Sequence, residues 1–191
     1  MKTLLKVLGG ILLLVVSIAL IGAAYIQVTG IPSYEVDLPE YTINSTPEKV
    51  ANGKKFASML CVSCHLNGTT GKLTGELMLD VPKEFGTIHS ANITSDPEHG
   101  IGSWTDAELL YLLRTGIKRD GKYAPPYMAK LPHMSDEDIE SILCFIRSDD
   151  PLVQPDPTPT VPTESSFLSK FLCQVAFKPL PMPDGAIANP D

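Results

Sequence analysis

Hydrophobic and polar positions divide this 191-residue chain into stretches of different character. Val7 to Val28 ("VLGGILLLVVSIALIGAAYIQV") is an apolar run without a charge, about the ~20 residues that a bilayer core requires. Residues 29–44 ("TGIPSYEVDLPEYTIN") are polar and proline-punctuated and predict a tether. Residues 45–150 carry helical periodicity and predict the folded domain. Residues 151–191 hold more than half of the chain's 17 prolines, so "PLVQPDPTPTVPT" predicts an extended, partly polyproline-like tail.

Three helices follow from pattern and punctuation in the domain. Thr46-Pro47 is an N-cap followed by proline at the first helical position, and that helix runs through "EKVANGKKFASMLC". Thr105 and Glu108 have capping-box spacing, Leu109, Leu110, Leu112 and Leu113 form a broad apolar face, and Gly116 is a stop signal. Ser135 caps the third, acidic residues follow it at the positive end of the helix dipole, and Ile139, Ile142, Leu143 and Ile146 recur at i, i+3, i+4 and i+7. Residues 66–103 form a long Gly-, Thr-, Asn- and Pro-rich loop, which a compact domain tolerates when it wraps something. Residues 164–177 ("ESSFLSKFLCQVAF") carry a last amphipathic stripe, with its own domain, a partner or the membrane surface as docking partner.

Charge narrows the reading. The net charge of −7 offers no basic face for nucleic acid. Lys2 and Lys6 ahead of the apolar run place the N-terminus in the cytoplasm by the positive-inside bias. The domain then lies outside, in a Gram-negative bacterium on the periplasmic side of the inner membrane. The small residues Gly22 to Ala24 also fit a signal-peptide cleavage site, so residues 1–28 read as a transmembrane anchor or a cleaved signal.

Chemistry enters at "CVSCH", Cys61 to His65. Cys-x-x-Cys-His is the attachment signature of a c-type haem, with two thiols for thioethers and an imidazole for the iron. A zinc site wants four ligands, and Cys144 and Cys173 are too far apart in sequence to supply a second pair. A redox dithiol wants a βαβ pattern, which is missing here. Cys144 and Cys173 are instead candidates for a bridge in an oxidising compartment, or remain free.

The stretches "CVSCH", "FGTIHSANITSDPEHGIGSW", "TDAELLYLLRTGIKRDGK" and "MSDEDIESILCFIRS" resemble class I c-type cytochromes. They are most similar to the haem modules in cytochrome subunits of bacterial membrane-bound alcohol and sugar-acid dehydrogenases. The resemblance covers residues 45–148 and implies an all-α fold of three main helices and long loops around one covalent haem c. It implies electron transfer without substrate chemistry. Cys61 and Cys64 would hold the haem covalently. His65 would be one axial ligand, and a methionine in a proline-containing loop before the last helix the other. Met128 after Pro125-Pro126 fits, with Met134 the alternative. Met134 already has a role as the apolar residue before the Ser135 cap.

Met59 is too near the motif to reach across, and Met78 lies in the wrapping loop. His89, His99 and His133 read as loop residues rather than ligands. Asn92 and Trp104 read as structural. Arg114 faces either a haem propionate or solvent. Lys118, Arg119, Lys122 and Lys130 surround Met128 and read as either a docking patch or a solvated loop. The expected partners are membrane-bound redox proteins or respiratory complexes. The reading is a membrane-tethered monohaem carrier that shuttles electrons between them. The alternative is a subunit fixed in one such complex with the proline-rich tail as its docking strap, and a third class is a haem sensor or haem enzyme with an open coordination position.

Overall fold

A computed structural model describes residues 2–189. Among these residues the regular elements are helices apart from one pair of two-residue strands: α1 (Lys2–Thr29), α2 (Pro47–Leu60), α3 (Val62–His65), a 3-10 turn (Lys83–Phe85), β1 (Gly86–Thr87), α4 (Asp106–Thr115), α5 (Asp136–Ile146), β2 (Glu164–Ser165) and α6 (Phe167–Val175). β1 and β2 pair antiparallel, Gly86 opposite Ser165.

The caps act as their sequences suggest. The Thr46 hydroxyl accepts from the Lys49 amide. Thr105 and Glu108 close a reciprocal capping box, and Gly116 ends α4 in the left-handed region at φ +82°. Ser135 accepts from Asp138. Each cap satisfies amides that have no intrahelical partner, worth ~1 kcal/mol apiece.

α2 packs across α5, and their closest approach is at Gly53. A Cβ there would lie 1.8 Å from the carbonyl oxygen of Ser141. Ala57, Leu73, Leu109, Ile139, Ile142, Leu143, Phe145 and Val153 fill the core around this crossing. Lys49–Glu140 at 2.6 Å joins the two helices at the rim. A partly solvated pair of this kind adds little, so apolar burial and the backbone fit set the crossing.

Several residues lie elsewhere than the sequence suggested. Residues 30–45 do not hang free. Tyr34 donates its amide to Gly121, Ile43 to Asp106, and Asn44 to Glu140. Tyr41 and Ile43 pack on the core. This segment is why Cys144 is fully buried, although the apolar period of α5 puts it on the back of the helix. Its thiol points at the Asn44 carbonyl, 4.0 Å away. Cys173 is buried beneath α6, near Lys130, Tyr34 and Tyr123. Both thiols are free. The candidate bridge is absent because the two cysteines occupy different neighbourhoods, and burial raises both thiols above their ordinary range.

Arg114 is neither solvated nor at the surface. It is 1% exposed. Its Nη1 donates to the carbonyls of Leu131 (2.9 Å), Pro132 (3.3 Å) and Met134 (2.6 Å), and Nη2 donates to Asp136 at 2.6 Å. A planar fork suits this task, because several acceptors in one plane can be met at once. The guanidinium fixes the turn that leads into α5.

The proline-rich tail is extended but pinned. Asn92, 2% exposed, donates to the carbonyls of Asp156 and Thr158, and its amide donates to the Thr160 hydroxyl. The Leu73 and Ser95 amides donate to the Leu152 and Val153 carbonyls. The folded body thus takes in residues well past 150.

Gly53→Ala should lower stability by about 3 kcal/mol, since backbone rather than a mobile side chain must give way. Ala51→Ser, exposed on the same helix, should stay within ~0.5 kcal/mol. Chemical denaturation of both variants measures the difference. Arg114→Leu should cost about 3 kcal/mol by stranding buried carbonyls. Arg114→Lys should recover only part of it, because an ammonium cannot meet all four acceptors; an Arg114→Lys protein as stable as wild type would contradict the fork.

Candidate haem-attachment site

The crossing of α2 on α5 decides where α2 ends, and the motif begins there. Cys61 closes α2, its amide donating to Ala57 at 2.8 Å, and opens α3. The Cys61 carbonyl then accepts from the amides of Cys64 (3.2 Å) and His65 (2.9 Å). The two thiols and the imidazole therefore sit on one tight helical turn. The spacing of the motif requires this, because i, i+3 and i+4 are neighbours on a helix.

The first part of the long loop returns to hold this turn. The Gly75 amide donates to the His65 carbonyl at 2.9 Å. The Ser90 hydroxyl donates to the Cys64 carbonyl at 2.5 Å and accepts from the Glu76 amide at 2.8 Å. Asn67 closes its own turn, its carbonyl oxygen accepting from the amides of Thr69 and Thr70 while its amide group donates to the Gly75 carbonyl. Gly75 has φ +82°, and a Cβ there would meet the Ser90 carbonyl oxygen at 2.2 Å and the Ala91 backbone at 2.9 Å. Only glycine lets these two loop segments come together.

That approach positions the Ala91 carbonyl 2.7 Å from Nδ1 of His65. A carbonyl accepts only, so Nδ1 carries the proton and Nε2 keeps its lone pair. Burial lowers the imidazole's proton affinity below the usual range, and the Ala91 bond opposes this in part. The ring is thus held neutral in the tautomer that offers Nε2 to a metal, with a backbone partner of the type that orients ligating histidines. Burial likewise pushes the Cys61 thiol up to about 11, with Cys64 adding to it. Both Cys61 and His65 sit deep among protein atoms yet keep part of their surface accessible. Two thiols on one turn beside an oriented imidazole are the donor set a covalent haem requires, and the residues fit that group. Among the described residues no three His, Cys, Asp or Glu side chains gather as a metal-binding cluster, so no set resembling a four-ligand zinc site is formed.

The two candidate distal methionines have different surroundings. Met134 is half-buried and packs on the same apolar cluster that Cys61, Val62, Leu113 and Leu131 touch. Met128 closes a turn with Pro125, 3.1 Å from amide to carbonyl, and lines a groove of about 380 Å³ with Tyr123, Pro132, Phe177 and Leu180. His133 is exposed, and the His99 amide donates to Asp96 in a local turn. Nδ1 of His89 is buried without a hydrogen-bond partner.

The basic residues near Met128 do not form one free patch. Lys130 lies over the Tyr123 ring, 4.9 Å from its centre, and donates to the Pro125 carbonyl at 2.7 Å. Burial brings its pKa down to about 8. Arg119 lies over Trp104 and pairs with Glu108, and Lys122 pairs with Asp120. Three of the four charges are thus engaged by neighbours, Arg119 by Glu108 and Trp104, Lys122 by Asp120, and Lys130 by Tyr123 and the Pro125 carbonyl.

Sequence reasoning missed Gly75, Ser90, the Ala91 carbonyl and the tail's Thr158 and Thr160. Asn92 was visible as a polar residue in a distinctive stretch, but its partners lie more than sixty residues away. Nothing local marks them.

Comparison with known proteins agrees with this geometry. The family model for cytochrome c matches residues 50–149. A nicotinate dehydrogenase subunit of Pseudomonas putida is 32% identical over 131 residues, 63% of this chain and 11% of that protein. The cytochrome c subunit of the quinone-dependent alcohol dehydrogenase of Gluconobacter oxydans is 39% identical over 87 residues, 44% of this chain and 18% of that protein. The fructose dehydrogenase cytochrome subunit of Gluconobacter japonicus is 36% identical over 111 residues, 56% of this chain and 22% of that protein. The chain spans between about a tenth and a quarter of the length of these relatives. A family model that takes in just over half of the chain, with the attachment turn inside it, shows that the chain belongs to the cytochrome c family, electron-transfer proteins with covalently bound haem c.

Proposed function

We propose that this chain is a membrane-tethered monohaem cytochrome c that carries electrons between membrane-bound dehydrogenases or respiratory complexes on the outer side of the cytoplasmic membrane. The observation that carries the reading is the turn from Cys61 to His65, with the imidazole fixed by the Ala91 carbonyl. One such motif occurs in the sequence, so one haem is expected per chain. The apolar helix α1, with mean hydropathy 2.7 and none of that stretch buried, supports a membrane anchor.

Cys61 and Cys64 would hold the porphyrin through thioethers, and His65 would bind one face of the iron through Nε2. Met128 is the proposed second ligand, supported by its place on the Pro125-Pro126 turn and by Met134 being committed to core packing. The bound haem supplies a one-electron iron couple. The neutral, soft thioether of Met128 favours the reduced state relative to a second imidazole. With His65 and Met128 both bound to the iron, the chain would leave no open position for a substrate.

A second reading is that the chain is a fixed subunit of one dehydrogenase complex. The relatives named as cytochrome subunits favour it. In that case the tail cannot serve as a free docking strap, since Asn92 and β1 hold it to its own domain. Mild-detergent purification from native membranes separates the two. A carrier comes alone or in substoichiometric amounts, and a fixed subunit comes in constant ratio with a dehydrogenase.

Covalent haem should amount to one per chain by pyridine haemochrome assay, and Cys61→Ala with Cys64→Ala should abolish covalent attachment. Met128→Ala should remove the methionine–iron band of the oxidised spectrum, lower the potential and let the reduced protein bind CO. Met134→Leu should keep the band and lose at most about 1.5 kcal/mol of stability. The opposite pattern would exchange the two residues' roles.

A further inference from the structure

Helix α6 presents its apolar stripe to the outside. Its buried side chains are the small ones, Ser169 and Cys173, whereas Phe167, Leu168, Phe171 and Val175 are between 39% and 57% exposed. At about 100° per residue these four fall in one sector, opposite Ser169 and Cys173. The Phe167 and Phe171 rings stack with centres 6.4 Å apart, so the surface is continuous. A helix that only completed its own domain would turn this face inward.

The flank of α6 shows where the face lies. Lys170 donates to the Gln27 side-chain oxygen at 3.3 Å, and Gln174 donates to the Thr29 hydroxyl at 3.3 Å and the Gly30 carbonyl at 3.0 Å. Gln27 to Gly30 is the outer end of α1, where its charge-free apolar run stops. α6 is therefore fastened at the level where α1 leaves the hydrocarbon. We infer that α6 lies in the membrane interface, with Phe167, Leu168, Phe171 and Val175 in lipid. The inference rests on α1 crossing the membrane. Lipid is the occupant because α1 itself has no buried residue among those described, and the apolar face of α6 adjoins its end. Such a face beside basic residues suits acyl chains below anionic headgroups, and Lys170 and Lys178 lie on or next to the helix.

The placement has a consequence for electron transfer. The groove lined by Met128 shares Ala176, Phe177 and Leu180 with the segment that follows α6. One anchor through the membrane and a second along it hold the domain with its Met128 loop toward the lipid surface. Membrane-embedded redox partners would meet it on that side.

The test uses the full-length holoprotein in phosphatidylethanolamine–phosphatidylglycerol vesicles that contain a lipid with a diazirine in its acyl chain. Cross-linked residues are mapped by mass spectrometry after illumination. Labels are expected in residues 7–28 and in Phe167–Val175. Phe167→Gln with Phe171→Gln should reduce the α6 labels by about fivefold or more and leave the α1 labels unchanged; the unaltered haem spectrum of this surface variant shows that it is folded. Labelled α1 with unlabelled α6 overturns the proposal and leaves the anchor intact. No label on either removes the anchor and the proposal with it. An α6 that is bare in vesicles yet cross-links to a protein in native membranes assigns the face to a partner and also overturns it.

Discussion

The backbone contact between α2 and α5 at Gly53 is the constraint on which the rest depends. Two helices can cross this closely only where one has no side chain, and the carbonyl of Ser141 occupies the space a Cβ would take. The crossing fixes both the position and the rotation of α2. Because Cys61 closes that helix, the same contact fixes where the thiols and His65 stand. The position of the two thiols and the imidazole is thus set by helix packing.

The loops then complete the site from the other direction. Gly75 lets residues 74–76 and 90–91 approach each other, and that brings the Ala91 carbonyl to the imidazole. Arg114 performs the matching task across the domain, holding residues 131–136 by three carbonyls and a carboxylate. Burying a guanidinium is costly unless every donor finds an acceptor. Here three acceptors are backbone carbonyls of the turn before α5 and the fourth is the Asp136 carboxylate. Each group offsets the other's desolvation, and the turn has one conformation as a result.

Function follows from keeping the imidazole neutral and the two ends of the chain attached. A protonated His65 could not bind a metal; burial lowers the imidazole's proton affinity, and the Nδ1 bond to the Ala91 carbonyl, which opposes that in part, sets the tautomer. The chain ends do more than connect. Residues 30–45 cover the back of α5, the proline-rich stretch seals the loop at Asn92, and α6 returns to the C-terminal end of α1. A domain of this size gains much of its buried surface from such wrapping.

The sequence by itself determined the helices, their caps and the attachment turn, because each depends on residues within four positions of one another. Thr46-Pro47, the Thr105–Glu108 box and Ser135 act locally and appear as read, and Cys61, Cys64 and His65 share one short helical turn. The tertiary structure decided whatever depends on contacts between distant residues. Arg114 is on α4 at a position that spacing alone would leave in water, and only residues 131–136 folding back bury it. Cys144 looks exposed until residues 41–45 cover it. The stripe of α6 predicts an apolar face but not its direction, since periodicity shows which side chains share a side and not what that side meets. Packing settles that direction, and it places the polar side of α6 against the protein.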